Sequence, residues 1–212
     1  MYASITQVKN YILRDITSAF EATVTEFIGM AGKYIDNICN RSFDVVGSTP
    51  ATKYYDGNDS DSLEIDDLHS LTALTVFDVG FDVSSLALYP ANETPKTLIK
   101  IKSTYAPQSA SSRQPVFLFD RGEQNIAVTG IWGYGTEVPK DITLACLKIV
   151  AAIIKENFGQ GDANEITSES IGDYSVNYEK VSEIAGALQV DELLKPYRRA
   201  KVGTNRTGIL KL

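Results

Sequence analysis

One stretch, residues 125–158, most constrains how this chain can fold, because it joins a strand, a glycine corner and a long apolar helix. The strand runs into the sequence Ile-Trp-Gly-Tyr-Gly, in which glycine permits the sharp change of backbone direction that a corner needs. Pro139 follows where a helix begins, and a missing N–H costs little there. We predict a structural corner fixed by the packing of its two aromatic side chains. It consists of Gly130, Trp132, Gly133, Tyr134 and Pro139.

The helix after the corner is apolar almost all the way round from Ile142 to Ile154, and only Thr143 and Lys148 interrupt it. A helix at the surface of a small monomer has a polar face instead. This helix therefore needs cover on more than one side. The cover can come from the rest of the chain, from a neighbouring copy, or from both.

Two helices are predicted before the strands begin. Ser4 and Gln7 have the spacing of a capping box, which predicts a short helix over residues 4–14. Apolar residues three and four positions apart predict a second helix over residues 18–40. Near the other end of the chain, residues 168–178 alternate like an exposed strand.

The middle of the chain is rich in β-forming runs. Between residues 51 and 138, short alternating or β-branched runs are separated by turn clusters, which predicts about six strands. The short connections favour antiparallel pairing. The predicted fold class is α+β. A small helical bundle (residues 1–50 and 139–199) carries an antiparallel β-rich insertion (residues 51–138) between the second helix and the long third helix. Residues 200–212 form an extended, flexible C-terminal arm.

Side chains that could perform catalysis are sparse. The single histidine, His69, is interpreted as a surface loop residue. Cys39 and Cys146 fall inside predicted helices, on or near their apolar faces, and are predicted to be buried free thiols. The spacings of zinc sites, of phosphate-binding loops and of dinucleotide-binding loops do not occur in the sequence. We expect no catalytic residues, no metal site and no cofactor.

The acidic segment at residues 56–67 is the nearest approach to a metal site. An EF-hand loop needs Gly where Asp61 stands and Glu where Asp67 stands, so two positions required for calcium binding fail. We therefore interpret the segment as a solvated hairpin turn. Residues 63–65 and 71–77 are predicted to be separate strands on either side of Asp66-Asp67.

Charge is distributed unevenly along the chain. The formal net charge is −7, yet residues 191–212 contain six Lys or Arg against two Asp or Glu. An acidic body does not attract nucleic acid over its general surface. The basic end could contact phosphates or an acidic partner protein. Its apolar residues Ile209, Leu210 and Leu212 favour insertion into a protein groove or addition to a sheet edge, since phosphate contact alone would not use them.

Several segments, taken in order, resemble the head-to-tail connector family of tailed bacteriophages, also called adaptor or head-completion proteins. The most specific is Val-Thr-Gly-Ile-Trp-Gly-Tyr at residues 128–134, with Val-Pro and Asp-Ile within residues 138–142. The other matching segments are residues 8–12, 31–43, 53–57, 169–175 and 194–199. The resemblance covers most of the chain.

This resemblance implies a non-enzymatic ring, usually of twelve copies, beneath the portal protein of the virion. Such a ring extends the DNA channel, does not bind DNA specifically, and offers its far end to a stopper or tail protein. The chain would be in the host cytoplasm during assembly and in the head–tail neck of the particle afterwards. The resemblance also implies an arm that reaches into the portal. Its residues here are Arg199, Lys201, Arg206, Ile209, Leu210, Lys211 and Leu212.

Two alternative functions stay open at this point. A phage stopper or tail-completion protein has a similar size and a similar lack of catalytic chemistry. A cytoplasmic binding or regulatory module could use the basic tail to bind nucleic acid.

Overall fold

The computed structural model describes residues 1–102, 118–158, 165–166 and 178–199 of the 212-residue chain. Its helices are α1 (Ile5–Ile12), α2 (Ser18–Cys39), α3 (Lys140–Phe158), α4 (Tyr178–Ala187) and α5 (Val190–Leu194). Its strands are β1 (Asp15–Ile16), β2 (Ala51–Gly57), β3 (Ser62–Val76), β4 (Val79–Phe81), β5 (Leu86–Tyr89), β6 (Lys96–Ile101), β7 (Gly122–Trp132) and β8 (Glu165–Ile166). The α+β class and the β-rich insertion between the second and third helices are confirmed.

Two sequence-based predictions concern parts of the chain outside the described residues. One is the C-terminal arm at residues 200–212, and the other is the alternating strand, of which residues 168–177 are not described.

The described chain divides into two compact units. The helical unit comprises Met1–Asp44 and Glu137–Arg199, and the β unit comprises Val45–Thr136. Within the helical unit, the two-residue strands β1 and β8 pair in parallel. Within the β unit, the strands form one six-stranded sheet in the order β2-β7-β3-β6-β5, with β4 paired to β3.

The first two helices form as their sequences predict. The Oγ of Ser4 accepts a hydrogen bond from the Gln7 N–H, and the Gln7 side chain accepts one from the Ser4 N–H, which completes the capping box. Helix α2 buries one face. The buried side chains on that face are Phe20, Val24, Phe27, Ile28, Ala31, Tyr34, Ile35 and Cys39. The predicted apolar stripe of α2 is thus its core face.

Helix α3 is covered on most sides by the rest of the helical unit, because α1, α2, α4 and α5 all contact it. Its fully buried residues recur at helical spacing, for example Ile142, Cys146 and Ile149. Leu144 remains 36% exposed on the opposite side. Most of the cover that the sequence requires for this helix comes from its own chain.

Residues 56–67 do not form the hairpin turn that we predicted, because β7 lies between β2 and β3 in the sheet. The backbone N–H groups of Asn58 and Asp59 donate to the Phe119 carbonyl oxygen at 3.0 and 2.9 Å. The Asp59 carboxylate accepts a hydrogen bond from the Arg121 N–H at 2.8 Å. The acidic segment therefore pairs with the turn that leads into β7, and its polar groups hold that turn.

Strand β3 is continuous over 15 residues, whereas the sequence predicted two shorter strands. The register with β7 leaves His69 and Thr72 as extra residues, so each forms a β-bulge. Bulges let a strand bend without ending. The interpretation of His69 as a loop residue is therefore wrong. This residue lies in β3 and is half-buried, and its Nδ1 atom is buried without a hydrogen bond from the described residues.

Candidate functional site

The predicted corner begins where β7 pairs with the bulged part of β3. Gly130 pairs with Leu71 on β3 and with Ala51 on β2. A Cβ atom at this position would lie 2.3 Å from the Ser70 carbonyl oxygen and 2.7 Å from Leu68 Cδ1. Only glycine permits this approach of the two backbones.

Trp132 ends β7 and is half-buried against the core of the β unit. Its indole Nε1–H donates a hydrogen bond to the Ala51 carbonyl oxygen at 2.7 Å. The Lys53 ammonium lies 4.6 Å from the centroid of the indole ring, within the range of a cation–π contact. The Tyr55 ring packs beside it with a centroid distance of 6.2 Å. Trp132 thus joins the end of β7 to the beginning of β2.

A polar network that the sequence analysis did not identify surrounds this tryptophan. The Lys53 Nζ forms an ion pair with Asp66 Oδ2 at 2.8 Å. The Tyr55 hydroxyl donates to the same carboxylate oxygen at 3.1 Å and accepts a hydrogen bond from the Asp66 N–H. The available signal was the i, i+2 spacing of Lys53 and Tyr55, which places both side chains on one face of β2.

The remaining corner residues divide between the two units. Gly133 has φ 137°, a conformation that side-chain-bearing residues rarely adopt, and its N–H donates to the Asp67 carbonyl oxygen at 2.8 Å. Tyr134 is half-buried. Pro139 belongs to the helical unit, where its carbonyl oxygen accepts a hydrogen bond from the Thr143 N–H at 3.0 Å. Pro139 therefore lies immediately before α3, and its carbonyl oxygen accepts the first hydrogen bond of that helix.

Of the residues predicted to contact a portal, only Arg199 is described. Its N–H donates to the Cys39 carbonyl oxygen at 2.9 Å, and its own carbonyl oxygen accepts from Asn40 Nδ2 at 2.8 Å. The backbone before the predicted arm is thus fixed to the end of α2. The other predicted contact residues lie outside the described part of the chain. They are Lys201, Arg206, Ile209, Leu210, Lys211 and Leu212.

A second polar network lies beside the end of α2. The Tyr2 hydroxyl donates to Asp36 Oδ1 and accepts a hydrogen bond from the Phe43 N–H at 2.8 Å. Burial raises the pKa of the Tyr2 phenol well above its ordinary value, and the hydrogen bond to Asp36 raises it further. Burial also raises the pKa of the Asp36 carboxyl. The Phe43 ring meets the ring of Tyr2 on one side and that of Tyr197 on another, both edge-on.

The two cysteines are buried free thiols, as predicted. Burial raises the pKa of Cys39 to about 11 and that of Cys146 to about 12. Both thiols are therefore protonated at neutral pH and are poor nucleophiles. Among the described residues, no group of three or more His, Cys, Asp or Glu side chains is placed to hold a metal ion.

None of the described helices is long and apolar enough to span a lipid bilayer.

The comparison with known proteins was made at the level of sequence and of structure. No protein-family model and no curated protein matches this chain. A chain in the neck of an empty GTA particle, computed with C6 symmetry, is similar over 88% of this chain and 82% of its own length. The sequence identity is 14% and the TM-score is 0.44, values too low to assign a family or a function to this protein.

Proposed function

We propose that this protein is a structural head-to-tail connector of a tailed bacteriophage. Copies of the chain form a ring beneath the portal, extend the DNA channel and provide a docking surface for a stopper or tail protein. The observation that carries the proposal is the spatial pairing of the segments that resemble the connector family. Four of these segments, which lie far apart in the sequence, contact each other in two pairs. One pair lies in the β unit and the other in the helical unit.

The first pair of segments lies in the β unit. Residues 53–57 belong to β2 and residues 128–132 form the end of β7, and these two strands are neighbours in the sheet. Trp132 contacts the first strand through its hydrogen bond to Ala51 and its ring contact with Lys53. The Trp132 ring thus contacts Lys53 and Tyr55, so the most specific segment of the resemblance packs against another segment of it.

The second pair of segments lies in the helical unit. Residues 31–43 include the end of α2, and residues 194–199 begin at the last residue of α5. The Phe43 and Tyr197 rings meet edge-on at a centroid distance of 5.6 Å, and the Arg199 backbone bonds to the end of α2. This arrangement supports a fixed starting point for an arm of residues 200–212.

The chemistry of the chain also favours a structural role. An acidic protein does not hold DNA phosphates, which suits a channel through which DNA slides. We assign Arg199, Lys201, Arg206 and Lys211 to the contact with an acidic portal surface. The apolar residues of the arm, Ile209, Leu210 and Leu212, would enter a groove of the portal.

Electron microscopy tests this proposal directly. The purified chain is mixed with the portal protein encoded in the same phage genome, and negatively stained complexes are averaged. We expect a ring stacked under the portal. A chain truncated after Arg199 should lose portal binding while it keeps the thermal stability of the full chain. If the truncated chain binds the portal as well as the full chain does, the arm assignment is wrong.

Portal binding also separates the connector from a stopper or tail-completion protein. A stopper would bind a preassembled portal–connector complex but would not bind the portal alone. That result would contradict the connector proposal and would favour the alternative.

A nucleic-acid-binding function has one observation in its favour. Residues 195–212 contain six Lys or Arg and no Asp or Glu. If this segment binds DNA phosphates, affinity will fall steeply with salt and vanish on deletion of residues 200–212. Fluorescence anisotropy with a labelled duplex at several salt concentrations measures this. A connector should show no such affinity.

A further inference from the structure

Two apolar residues of this chain combine a left-handed backbone with an exposed side chain. Among the described residues, Leu13 and Phe77 are the apolar members of the non-glycine residues with positive φ, at 56° and 49°. Leu13 is 88% exposed and Phe77 is 56% exposed. The other such residues are Asn40, Asp59, Asp78, Gln124 and Gln189, all of which are polar.

The folding of a single chain accounts for the backbone conformation at both positions but not for the exposed apolar side chains there. Leu13 is the residue after α1, where glycine or asparagine is ordinarily found because a β-carbon disfavours the left-handed conformation. Phe77 and Asp78 form the two-residue turn between β3 and β4, where Asn-Gly is preferred for the same reason. Because both side chains are exposed, burial of apolar surface does not offset the disfavoured backbone conformation. Disfavoured backbone conformations cluster at functional sites, so such a residue motivates a hypothesis of function.

The turn holds Phe77 in a fixed position. Val76 pairs with Val79 directly across the turn, and the Phe77 N–H donates to the Asn125 carbonyl oxygen at 2.8 Å. Val79 beside it is 68% exposed. The hairpin therefore presents an apolar tip that loses little conformational freedom when it docks.

Opposite charges accompany the two apolar residues. Asp78 follows Phe77 at the hairpin tip, and Arg14 follows Leu13 at the end of α1. Tyr11, two residues before Leu13, is also exposed. The end of α1 thus offers an apolar surface next to a cation, and the hairpin offers an apolar tip next to a carboxylate.

We propose that the β3–β4 hairpin of one copy of this chain docks on the end of α1 of another copy. Phe77 packs against Leu13 and Tyr11, and Asp78 faces Arg14. Such a contact joins two different patches, so a joined pair keeps one free patch of each kind. Further copies can then add in the same way, and a ring forms when the rotation between copies closes. The inference deepens the proposed connector ring, because it names the residues through which copies meet.

Cysteine crosslinking between singly substituted chains tests the contact. Leu13→Cys and Phe77→Cys chains are purified separately, mixed at high concentration and treated with a short bismaleimide. The native thiols do not compete, because both are buried and protonated. Using separate chains excludes a crosslink within one chain. We expect covalent heterodimers in the mixture, at least tenfold above the amount in either chain alone.

A matched control uses Tyr54, which is exposed in the same unit but lies within strand β2. A mixture of Leu13→Cys and Tyr54→Cys chains should give only background crosslinking. Equal crosslinking with Tyr54→Cys, or none above background with Phe77→Cys, overturns the proposal.

A charge exchange tests the orientation of the contact. Adding Asp78→Arg to the Phe77→Cys chain should lower crosslinking several-fold, and adding Arg14→Asp to the Leu13→Cys chain should restore it. Failure of the second change to restore crosslinking overturns the assigned pairing. These experiments contain no portal, so they can succeed even if portal binding fails and the proposed function is wrong.

Discussion

The indole Nε1 of Trp132 donates a hydrogen bond of 2.7 Å to the carbonyl oxygen of Ala51, although 81 residues separate the two in the sequence. The bond joins the last residue of β7 to the first residue of β2, and the register pairs Ala51 itself with Gly130. The Trp132 side chain therefore holds together the end of the β2–β7 strand pair, at the point where β7 ends.

Substitution of Trp132 tests this structural role. Trp132→Phe keeps an aromatic ring but leaves the Ala51 carbonyl oxygen without its donor, so it should lower the free energy of unfolding by about 1 kcal/mol. Trp132→Ala should lower it by about 2 kcal/mol, less than for a fully buried tryptophan because the ring is half-buried. Urea denaturation measures both values. Unchanged stability together with lost partner binding would make Trp132 an interface residue instead.

Substitution of Gly130, where β7 pairs with β3, should destabilise the protein. Gly130→Ala should lower the free energy of unfolding by about 3 kcal/mol, because the new methyl group meets a backbone oxygen that cannot move away alone. The matched control is Gly29→Ala in α2, where a Cβ atom has no neighbour within 4 Å. That change should stabilise the chain by about 1 kcal/mol, since alanine favours helices. Equal effects of the two substitutions would contradict the close approach.

Leu13 and Phe77, the two proposed docking residues, have a left-handed backbone conformation. Replacing them with residues that favour this conformation should stabilise the single chain. Leu13→Gly and Phe77→Asn should each raise the free energy of unfolding by about 0.5 kcal/mol, because they relieve the disfavoured conformation. Differential scanning fluorimetry at low protein concentration measures the change. Phe27→Asn is the contrasting control and should destabilise strongly, because Phe27 is buried in α2. A loss of stability at both Leu13 and Phe77 would mean that their side chains support the folded chain.

The tyrosine at the start of the chain should contribute through its hydroxyl. Tyr2→Phe keeps the edge-on packing against Phe43 but removes the donor to Asp36 and the acceptor of the Phe43 N–H. We expect a loss of about 2 kcal/mol in the free energy of unfolding. Chemical denaturation of the two proteins at neutral pH measures the difference, and equal stability would show that water replaces the hydroxyl without cost.

The raised pKa of Asp36 predicts a pH dependence of stability. Burial is the main cause, and the nearby Asp44 carboxylate adds to it, while the Tyr2 hydrogen bond and the Met1 ammonium oppose it. The folded chain therefore binds this proton more tightly than the unfolded chain does. Stability should fall as the pH rises from the ordinary aspartate pKa through the raised value. Asp36→Asn should remove this part of the slope, and a slope unchanged by the substitution would contradict the assignment.

Local patterns in the sequence determined the fold class and helices α1, α2 and α3, whereas α4 was not predicted. The capping box at Ser4, the buried stripe of α2 and the buried thiols all follow from spacing along a helix, which depends only on nearby residues.

Only the tertiary structure decided how the strands pair. Leu63 and Ile65 face the core at odd positions, whereas Leu68, Leu74 and Val76 face it at even positions, so the alternation changes phase within β3. The phase changes between Ile65 and Leu68, where the register with β6 also shifts, and the bulges at His69 and Thr72 follow. A pattern with period two predicts a break between strands at such an irregularity. The insertion of β7 between β2 and β3 is likewise decided by hydrogen bonds between residues distant in the chain. Such bonds form between backbone groups that every residue carries, so the local sequence contains no record of which strands they join.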